Sequence, residues 1–448
     1  MEIKKIMYIV PSAKREYKKT MKGKIGAAPI GIGLLASVLK LHGYEVTIVD
    51  MFAEDYSAKD LKQRIEMVVP DVIGISASFT ESAEVAYNIA KMIKKNFQCV
   101  VMAGGVHTTF LPEEVLAHDV DYVILNEGES TTVKLLEYLK ADATQEQLKS
   151  LESVGFKDSS GGVWINKQKN PVEDLDSLPI YDFYDLQLQE YATPLACITS
   201  RGCPGDCVYC ASRAMFGKKY RQRSAEAVIS EVFLLYKYIE KSESVLKNYL
   251  SIFDDTFTAN RKRLNKFCNY MIESGLSKRI GWKCESRIDI LTEEILIKMK
   301  NSGCIAVHVG LESTNQGIID SLNKHIKVEK MEEVIQLMAK YKIEPLCSFI
   351  IGNHEDTHET LTESIKFMDK IQRQYGAYVA ISPNTPLPGT ALYLYPDKFG
   401  ITIKSDKWAD YSLMKVIIDT KNFTQDEIRN YYSWASELLA NREDEHDT

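Results

Sequence analysis

The sequence predicts an α/β protein with two successive regions that each alternate short apolar strands with amphipathic helices. The first region, residues 1–140, predicts a doubly wound, flavodoxin-like domain. The second, residues 191–395, predicts a partial barrel of six strand–helix units, a (β/α)6 arrangement that is curved or open. Between them, residues 141–190 are rich in Gly, Ser, Asp and Pro, which predicts a linker with one small hairpin. Residues 396–448 predict a short helical tail.

The strands of the first region are short apolar runs, and amphipathic stretches separate them. This alternation is typical of a parallel sheet that helices cover on both faces. In such sheets, ligands bind at the carboxyl ends of the strands. The strands are predicted at 5–10, 45–49, 71–76, 99–105 and 121–128, and the helices at 29–42, 58–69, 81–96, 113–118 and 130–140.

The second region repeats the pattern, and barrel sites also lie at the carboxyl ends of strands. The charged last residues, 443–448, predict a frayed end. The strands are predicted at 196–200, 248–253, 280–286, 304–310, 345–352 and 377–382, and the helices at 225–240, 260–274, 292–302, 315–322, 328–341 and 357–372.

Composition narrows the function classes. Charged residues make up 26% of the chain and the net charge is −7, which gives no reason to expect a nucleic acid or an anionic membrane as partner. No run of ~18 apolar residues predicts a membrane span, and the N-terminus lacks the apolar core of a signal peptide. We therefore expect a cytoplasmic protein. Nine cysteines, of which three are clustered, do not predict a disulfide framework.

The clustered cysteines, Cys203, Cys207 and Cys210, follow the first predicted strand of the second region in the segment ITSRGCPGDCVYCASR. Three thiolates at this spacing can bind three irons of a cubane cluster. No fourth cysteine is near, so one iron would stay open for a small ligand. The alternatives are three buried structural cysteines or a zinc site. A zinc site would need a fourth Cys or His ligand at short spacing.

The CxxxCxxC spacing, with Tyr209 directly before the third cysteine, resembles the radical S-adenosylmethionine (SAM) superfamily. The resemblance covers residues 190–395. It implies that Cys203, Cys207 and Cys210 ligate a 4Fe–4S cluster and that Tyr209 lies near the adenine of SAM. It also implies that the open iron binds the amino and carboxylate groups of SAM, whose reductive cleavage releases a 5′-deoxyadenosyl radical.

Polar residues at predicted strand ends are candidates for binding SAM. Asp254 and Asp255 end the second strand of this region, Glu285 and Arg287 the third, and Glu312 the fourth. SAM needs acceptors for its ribose hydroxyls and a cation for its carboxylate. The segments FDDTF, CESRID and GLES are similar to segments of the superfamily, which favours this role.

Other roles for these side chains stay open. Asp254, Asp255 and Glu312 also suit the N-terminal caps of the following helices. Arg221 is a further candidate for SAM, but Arg221 and Arg223, in the segment KKYRQRS, equally fit a solvated basic stretch before a helix.

The first region resembles the cobalamin-binding domain of cobalamin-dependent radical SAM enzymes over residues 5–140, through the segments APIGIGLLASVLKLHGYEVTIVD, AGGVHTT and NEGE. Glycines at 104 and 105 would let the nucleotide tail of cobalamin pass close to the backbone. The candidate cobalamin-binding residues all lie at predicted strand ends. They are Ser12, Ser76, Ser78, Gly104, Gly105, His107, Glu127 and Gly128.

One departure from other cobalamin proteins concerns the cobalt ligand. The DxHxxG pattern that supplies a lower-face histidine is missing, and His107 is not in that context. The resemblance therefore implies a detached benzimidazole tail and no histidine ligand. Alternatively, this domain binds nothing or serves oligomerisation. Its glycine-rich turn is not GxGxxG, which disfavours a nicotinamide cofactor.

Together, the resemblances imply an enzyme that uses cobalamin, SAM and the cluster to methylate an unactivated carbon, with flavodoxin or ferredoxin as electron donor. The short tail leaves little room for a large substrate domain, which favours a small-molecule substrate. One alternative keeps both cofactors but cyclises or rearranges the substrate without methyl transfer. Another is a non-catalytic cobalamin or redox sensor.

Overall fold

The computed structural model describes residues 2–12, 26–167, 169–241 and 249–440. The chain divides into two compact units, Met1–Ala196 and Cys197–Thr448, called units 1 and 2 below. The predicted frayed end at 443–448 and the first residue of the strand predicted at 248–253 lie outside the described residues. Within the described residues, no helix is both long and apolar enough to cross a membrane.

Unit 1 contains one seven-stranded sheet with the order β2-β1-β3-β4-β5-β6-β7. Strands β1 to β5 run parallel in the 2-1-3-4-5 order of flavodoxin-like folds. The predicted doubly wound fold is therefore confirmed. The strands are β1 Lys5–Val10, β2 Glu45–Asp50, β3 Val72–Ser76, β4 Val100–Gly104, β5 Tyr122–Ile124, β6 Val154–Lys157 and β7 Val163–Asn166, and the helices are α1 Ile30–Leu41, α2 Ala58–Val68, α3 Ala83–Asn96, α4 Val106–Phe110, α5 Pro112–Ala117, α6 Glu129–Lys140 and α7 Gln145–Ser150.

The central strand β3 shows why this sheet forms. All five of its residues are buried, as expected for a parallel strand with helices on both faces. Its middle residue, Gly74, leaves space for an aromatic ring, because a Cβ there would lie 2.6 Å from the ring of Tyr8 on β1. The following helices are set by local signals such as the capping box of Ser57 and Asp60 at the start of α2.

The segment predicted as a linker, residues 141–190, differs from that expectation. Its helix α7 and its hairpin of β6 and β7 belong to unit 1, because β6 pairs antiparallel with β5 and extends the sheet. Val154 and Phe156 on β6 are buried in the same apolar cluster as the first strands. The Gly- and Ser-rich composition signalled the hairpin turn, whereas the burial of its apolar residues was not visible in the sequence.

Unit 2 contains a six-stranded sheet with the order β15-β14-β13-β12-β11-β8, and β11 to β15 are parallel neighbours. This agrees with the predicted partial barrel. Its strands are β8 Ala196–Cys197, β9 Ser200–Arg201, β10 Arg221–Gln222, β11 Tyr249–Ile252, β12 Gly281–Ser286, β13 Cys304–Glu312, β14 Glu344–Ile351, β15 Tyr378–Pro383, β16 Thr402–Ile403 and β17 Ile418–Asp419, and its helices are α8 Ser212–Phe216, α9 Ala225–Lys241, α10 Arg261–Glu273, α11 Glu293–Asn301, α12 Gln316–Ser321, α13 Met331–Lys340, α14 His358–Tyr375, α15 Ala391–Leu394 and α16 Gln425–Ala440.

Alternation of burial separates the two faces of this sheet. On β12, Trp282, Cys284 and Ser286 are buried. The residues that alternate with them, such as Lys283 and Glu285, are partly exposed. Trp282 packs edge-on against Phe257 and Phe267. The face with the partly exposed residues Lys283 and Glu285 is called the inner face below.

The first predicted strand of unit 2, at 196–200, is divided in the structure. Strand β8 joins the parallel sheet, whereas β9 pairs antiparallel with β10. The predicted helical tail is confirmed in α16, which the antiparallel pair of β16 and β17 precedes.

Candidate active site

The three clustered cysteines lie in the loop between β9 and α8, called the cysteine loop below. The loop begins at Gly202, whose positive φ of 85° favours glycine. At Gly205, an added Cβ would lie 3.6 Å from Cys203 Sγ and 3.8 Å from Cys207 Sγ. Both sulfurs therefore lie beside the same backbone position, at van der Waals distance from an added Cβ.

Hydrogen-bond donors surround the sulfurs. The backbone N–H of Gly205 donates to Cys203 Sγ at 3.4 Å, and that of Ser212 donates to Cys210 Sγ at 3.5 Å. The hydroxyl of Thr256 lies 3.4 Å from Cys203 Sγ. Hydrogen bonds to ligand sulfurs are one of the features that set the potential of iron–sulfur clusters.

A buried ionic network lies beside this loop and includes Tyr209, Glu312 and Lys324. The Tyr209 hydroxyl donates to Glu312 Oε1 at 3.0 Å, and the Lys324 ammonium donates to Glu312 Oε1 at 2.6 Å and to the Tyr209 hydroxyl at 2.9 Å. Burial, followed by the charge of Glu312, raises the pKa of Tyr209, so the phenol keeps its proton and remains a donor. The structure thus brings two predicted SAM-binding residues together.

Backbone strain accompanies this network. Glu312 has a positive φ of 64°, which costs a non-glycine residue roughly 1–2 kcal/mol. A Cβ at Gly310 would lie 2.3 Å from Glu312 Oε1 and 2.8 Å from Lys324 Nζ, so glycine makes room for the ion pair. Strain that the surroundings enforce is a common property of functional sites.

Arg287 also reaches the cysteine loop, since a Cβ at Gly205 would lie 3.5 Å from its Nη1. The rest of the guanidinium is fixed by Asp289, at 3.1 and 3.0 Å, and by the carbonyl oxygen of Lys324, at 2.9 Å. This arrangement holds one edge of the guanidinium towards the cysteines. A carboxylate there would meet a pre-oriented, charged donor.

Asp254 binds the chain before the cysteine loop, and its contact with SAM stays a prediction. Its carboxylate accepts the backbone N–H of Thr199 and Ser200, at 2.5 and 3.0 Å, and both of their hydroxyls, at 2.6 Å. Arg263 Nη2 lies 3.3 Å away. Asp254 therefore fixes the chain just before the cysteine loop. The following helix α10 is capped by Asn260.

The other candidates near the loop are distributed as follows. Asp255 is exposed and accepts a hydrogen bond from the hydroxyl of Ser212, beside Cys210. Arg221 is 4% exposed on β10, and Arg223 forms a buried ion pair with Glu231. The segment is therefore not the solvated basic stretch that was one alternative. The N-cap of α12 is Asn315, so Glu312 does not cap it.

Glu285 lies on the inner face of the sheet, where its Oε1 is 3.4 Å from His308 Nδ1. Burial alone would lower the pKa of His308, but the hydrogen bond and charge of Glu285 outweigh it, and the net pKa is raised. The pair borders a cavity of about 230 Å³, called the inner-face cavity below. His308 was missed in the sequence because its pairing with Glu285 depends on strand register.

In unit 1, a cavity of about 60 Å³ lies at the carboxyl ends of the parallel strands and is called the unit 1 cavity. Three predicted residues line it, namely Ser76, Gly104 and Gly128. The neighbouring Gly105 has a φ of 112°, and a Cβ there would lie 2.7 Å from the carbonyl carbon of Ala77. Gly105 therefore allows the close approach of two backbone segments, whereas Gly104 and Gly128 add no side chain to the lining of the cavity.

Other predicted cobalamin residues have partners inside unit 1. The hydroxyls of Ser76 and Ser78 are 3.0 Å apart, and Glu127 Oε2 accepts the backbone N–H of Val172 at 3.0 Å. Ser12 is half-buried just after β1 and does not line the cavity. Their contacts with a cofactor remain predictions.

His107 is fully buried and turned into the protein. Its Nε2 lies 2.8 Å from the Tyr87 hydroxyl, and its Nδ1 lies 3.4 Å from the Thr80 hydroxyl. Burial lowers its pKa to about 4. The structure therefore does not bring the His107 side chain to the unit 1 cavity.

Comparison with known proteins places both units. The chain matches the B12 binding domain over residues 26–136 and the radical SAM superfamily over residues 197–368. A protein of Pyrococcus horikoshii named an uncharacterized methyltransferase is 31% identical over 437 residues, which cover 96% of this chain and 90% of the relative. This chain belongs to the family of cobalamin-dependent radical SAM enzymes.

Two further proteins resemble this chain, one in sequence and one in solved structure. The anaerobic magnesium-protoporphyrin IX monomethyl ester cyclase of Rubrivivax gelatinosus is 29% identical over 350 residues, covering 75% of this chain and 61% of that protein. The solved structure of the cobalamin-dependent S-adenosylmethionine radical enzyme OxsB, with aqua-cobalamin and SAM bound, has a TM-score of 0.78. It is 18% identical, covers 98% of this chain and 67% of that chain, and supports the fold.

For a radical SAM enzyme, the donor set of the cysteine loop fits a cluster better than a single ion. Among the residues that the structure describes, no three His, Cys, Asp or Glu side chains converge as one metal ion would require. Zinc would draw all its sulfur ligands to about 2.3 Å from one point. A cubane instead places each thiolate on a different iron, so its three sulfur ligands need not converge on one point.

Lys324 belongs to the ionic network with Tyr209 and Glu312, and the sequence analysis missed it. It is 7% exposed, and it follows α12 between the buried residues Leu322 and Ile326. A lysine with buried apolar neighbours must have a charged partner, and this was the available signal. The identity of that partner, Glu312, follows only from the fold.

Proposed function

We propose that this enzyme methylates an unactivated carbon of a small molecule. The observation that carries the proposal is the likeness, over 96% of the chain, to a protein named as a methyltransferase. That likeness covers both the cysteine loop and the unit 1 cavity. When bound, the cluster, SAM and cobalamin would supply an electron, an organic radical and a transferable methyl group.

In unit 2, Cys203, Cys207 and Cys210 would hold the cluster. Arg287 is oriented to donate to the carboxylate of SAM, since Asp289 fixes the far edge of its guanidinium. Glu312 would accept from a ribose hydroxyl or from the amino group of SAM.

The remaining predicted SAM residues have less direct support. Tyr209 belongs to the same network as Glu312 and would lie near the adenine. Asp255 keeps its predicted role through its place beside Cys210. Arg221 and Glu285 are proposed as contacts at the edge of the site, whereas Asp254 positions the loop.

In unit 1, the small residues around the cavity support cobalamin binding. Ser76, Gly104 and Gly128 line the cavity with small side chains or none, and Gly105 would let the nucleotide tail pass close to the backbone. The burial of His107 supports the proposal that no histidine ligates cobalt and that the benzimidazole tail is detached.

A second candidate function is cyclisation without methyl transfer. The likeness to the cyclase of Rubrivivax gelatinosus favours it, at 29% identity over 75% of this chain. The third alternative, a non-catalytic sensor, is not favoured for a member of an enzyme family. Flavodoxin or ferredoxin remains the proposed electron donor.

The test uses anaerobically reconstituted enzyme. Iron, sulfide and corrinoid are quantified, and 5′-deoxyadenosine is measured after reduction in the presence of SAM with a deuterated methyl group. We expect bound cluster and corrinoid, release of 5′-deoxyadenosine, and methyl label on the corrinoid. Protein without corrinoid would contradict the cobalamin part. Deoxyadenosine without label on the corrinoid would favour the cyclase.

A further inference from the structure

The inner-face cavity contains two basic side chains, Lys283 and His308, to which the proposed function assigns no ligand. Five neighbouring strands of unit 2 contribute to its lining. The wall is largely apolar and includes Phe253, Leu346 and Ala380. Lys283, Glu285 and His308 add charge to it. A mostly apolar cavity with a few converging polar groups is the usual form of a small-molecule site.

The charges of this cavity do not cancel in pairs. Glu285 and His308 are register partners on β12 and β13 and form one ion pair when His308 is protonated. Lys283 has no carboxylate partner within ion-pair distance among the described residues, and its ammonium lies 5.0 Å from the ring centre of Tyr249. A cation over an aromatic ring keeps its full positive charge. Among the described residues that line the cavity, Lys283 is therefore a cation without a carboxylate partner.

We infer that the inner-face cavity binds the anionic end of the substrate and that Lys283 recognises its charge. This inference rests on the proposed function and adds the substrate class: a small anion with an apolar body. A carboxylate or a phosphate would satisfy the same ammonium.

The position of Lys283 also orients the substrate. It lies three residues before the carboxyl end of β12, which corresponds to about 10 Å along a strand. The cysteine loop lies at the carboxyl ends, since Thr256, beyond β11, contacts Cys203, and Glu312, at the end of β13, contacts Tyr209. The anion is therefore held away from the cysteine loop, towards the amino ends of the strands. The reacting carbon then belongs to the opposite, apolar end of the substrate.

The test compares two probes that differ in charge and hardly in size, hexanoate and hexanamide, on the reconstituted holoenzyme. Binding is followed by saturation-transfer NMR titration. Wild-type enzyme is expected to prefer hexanoate by about tenfold, the worth of one charge-assisted hydrogen bond. In Lys283→Met, the preference should fall to about twofold or less. Hexyl phosphate in place of hexanoate shows which anion the cavity favours.

Controls separate this inference from the proposed function. Lys366→Met, on the exposed face of α14, should keep the preference, and Lys283→Arg should keep it because the charge remains. Equal binding of both probes by wild type, or an unchanged preference in Lys283→Met, would overturn the inference. If Lys283→Met does not fold, loss of the preference in Lys283→Arg overturns it. Deoxyadenosine release by wild type is measured separately, so failure of the proposed function is distinguishable.

Discussion

The two units prepare their candidate sites in opposite ways. Unit 1 makes space by omitting side chains, through Gly104 and Gly128, which line its cavity, and through the neighbouring Gly105. Unit 2 instead orients charges, through the buried pair of Glu312 and Lys324 and the fixed guanidinium of Arg287. The difference matches the proposed ligands, because a corrinoid tail needs room, whereas SAM carries charges that need partners. Substitutions in the two units should therefore fail for different reasons.

The largest expected effect comes from Cys207→Ala in unit 2. Removal of one of three thiolates should reduce bound iron from about four atoms per chain to less than one and abolish release of 5′-deoxyadenosine. Iron analysis and chromatography of the reduced mixture measure both. Cys99→Ala, in unit 1, is the matched control and should keep cluster and activity. Substantial SAM cleavage by Cys207→Ala would refute the assigned cluster.

The buried pair of unit 2 gives the next effect. Lys324→Met leaves Glu312 buried without its cation, which should destabilise unit 2 by about 3–5 kcal/mol in denaturant titration. The double variant Lys324→Met with Glu312→Gln should recover most of this stability, because no charge remains buried. It should still bind SAM poorly in equilibrium dialysis. Full SAM affinity in the double variant would show that the pair serves stability alone.

In unit 1, the expected effect is steric. Gly105→Ala places a Cβ 2.7 Å from the backbone of Ala77, which should cost about 3 kcal/mol or more and reduce the bound corrinoid at least tenfold. Gly43→Ala is the matched control. Its φ is also positive, at 83°, but nothing lies within 4 Å, so about 1 kcal/mol is expected. If both variants bind corrinoid equally, space at Gly105 is not required.

The smallest effect depends on pH. The pKa of His107 is lowered to about 4, so folding disfavours the protonated form. The contribution of neutral His107 to the free energy of unfolding is complete above the ordinary pKa near 6.5. It is lost as the pH falls towards 4, by about 2 kcal/mol between pH 7.5 and pH 5. Denaturant titration of wild type and His107→Gln at both values measures this difference. An equal loss in both proteins would contradict the assignment.

His308 in unit 2 should show the opposite pH dependence of stability, because its pKa is raised, whereas that of His107 is lowered. Its stabilising contribution is complete below the ordinary pKa of histidine and is lost as the pH rises through the folded value. The contributions of the two histidines to stability therefore change in opposite directions as the pH changes.

The sequence predicted what depends on local pattern. Strands such as β1 and β12 were located within a residue of their observed ends, because apolar runs mark buried parallel strands. The spacing of Cys203, Cys207 and Cys210 was sufficient for the cluster, since its ligands are close along the chain. The family and the fold followed from these signals and are confirmed.

What the sequence could not supply depends on contacts between distant segments. Lys324 and Tyr209 are 115 residues apart, and only the fold shows that they meet. The contacts of Asp254 were not visible in the sequence, because its backbone partners, Thr199 and Ser200, are 55 and 54 residues away. The pairing of Glu285 with His308 needs the register of two strands.

The hairpin of β6 and β7 has a consequence for the solubility of the protein. Without it, the three-residue strand β5 would be an open edge, which is a template for association with another chain. The hairpin moves the edge to β7, where Lys149 accepts a hydrogen bond from the Trp164 indole through its carbonyl and extends its ammonium over the ring. A short edge with a charge above its largest apolar side chain resists edge-to-edge aggregation.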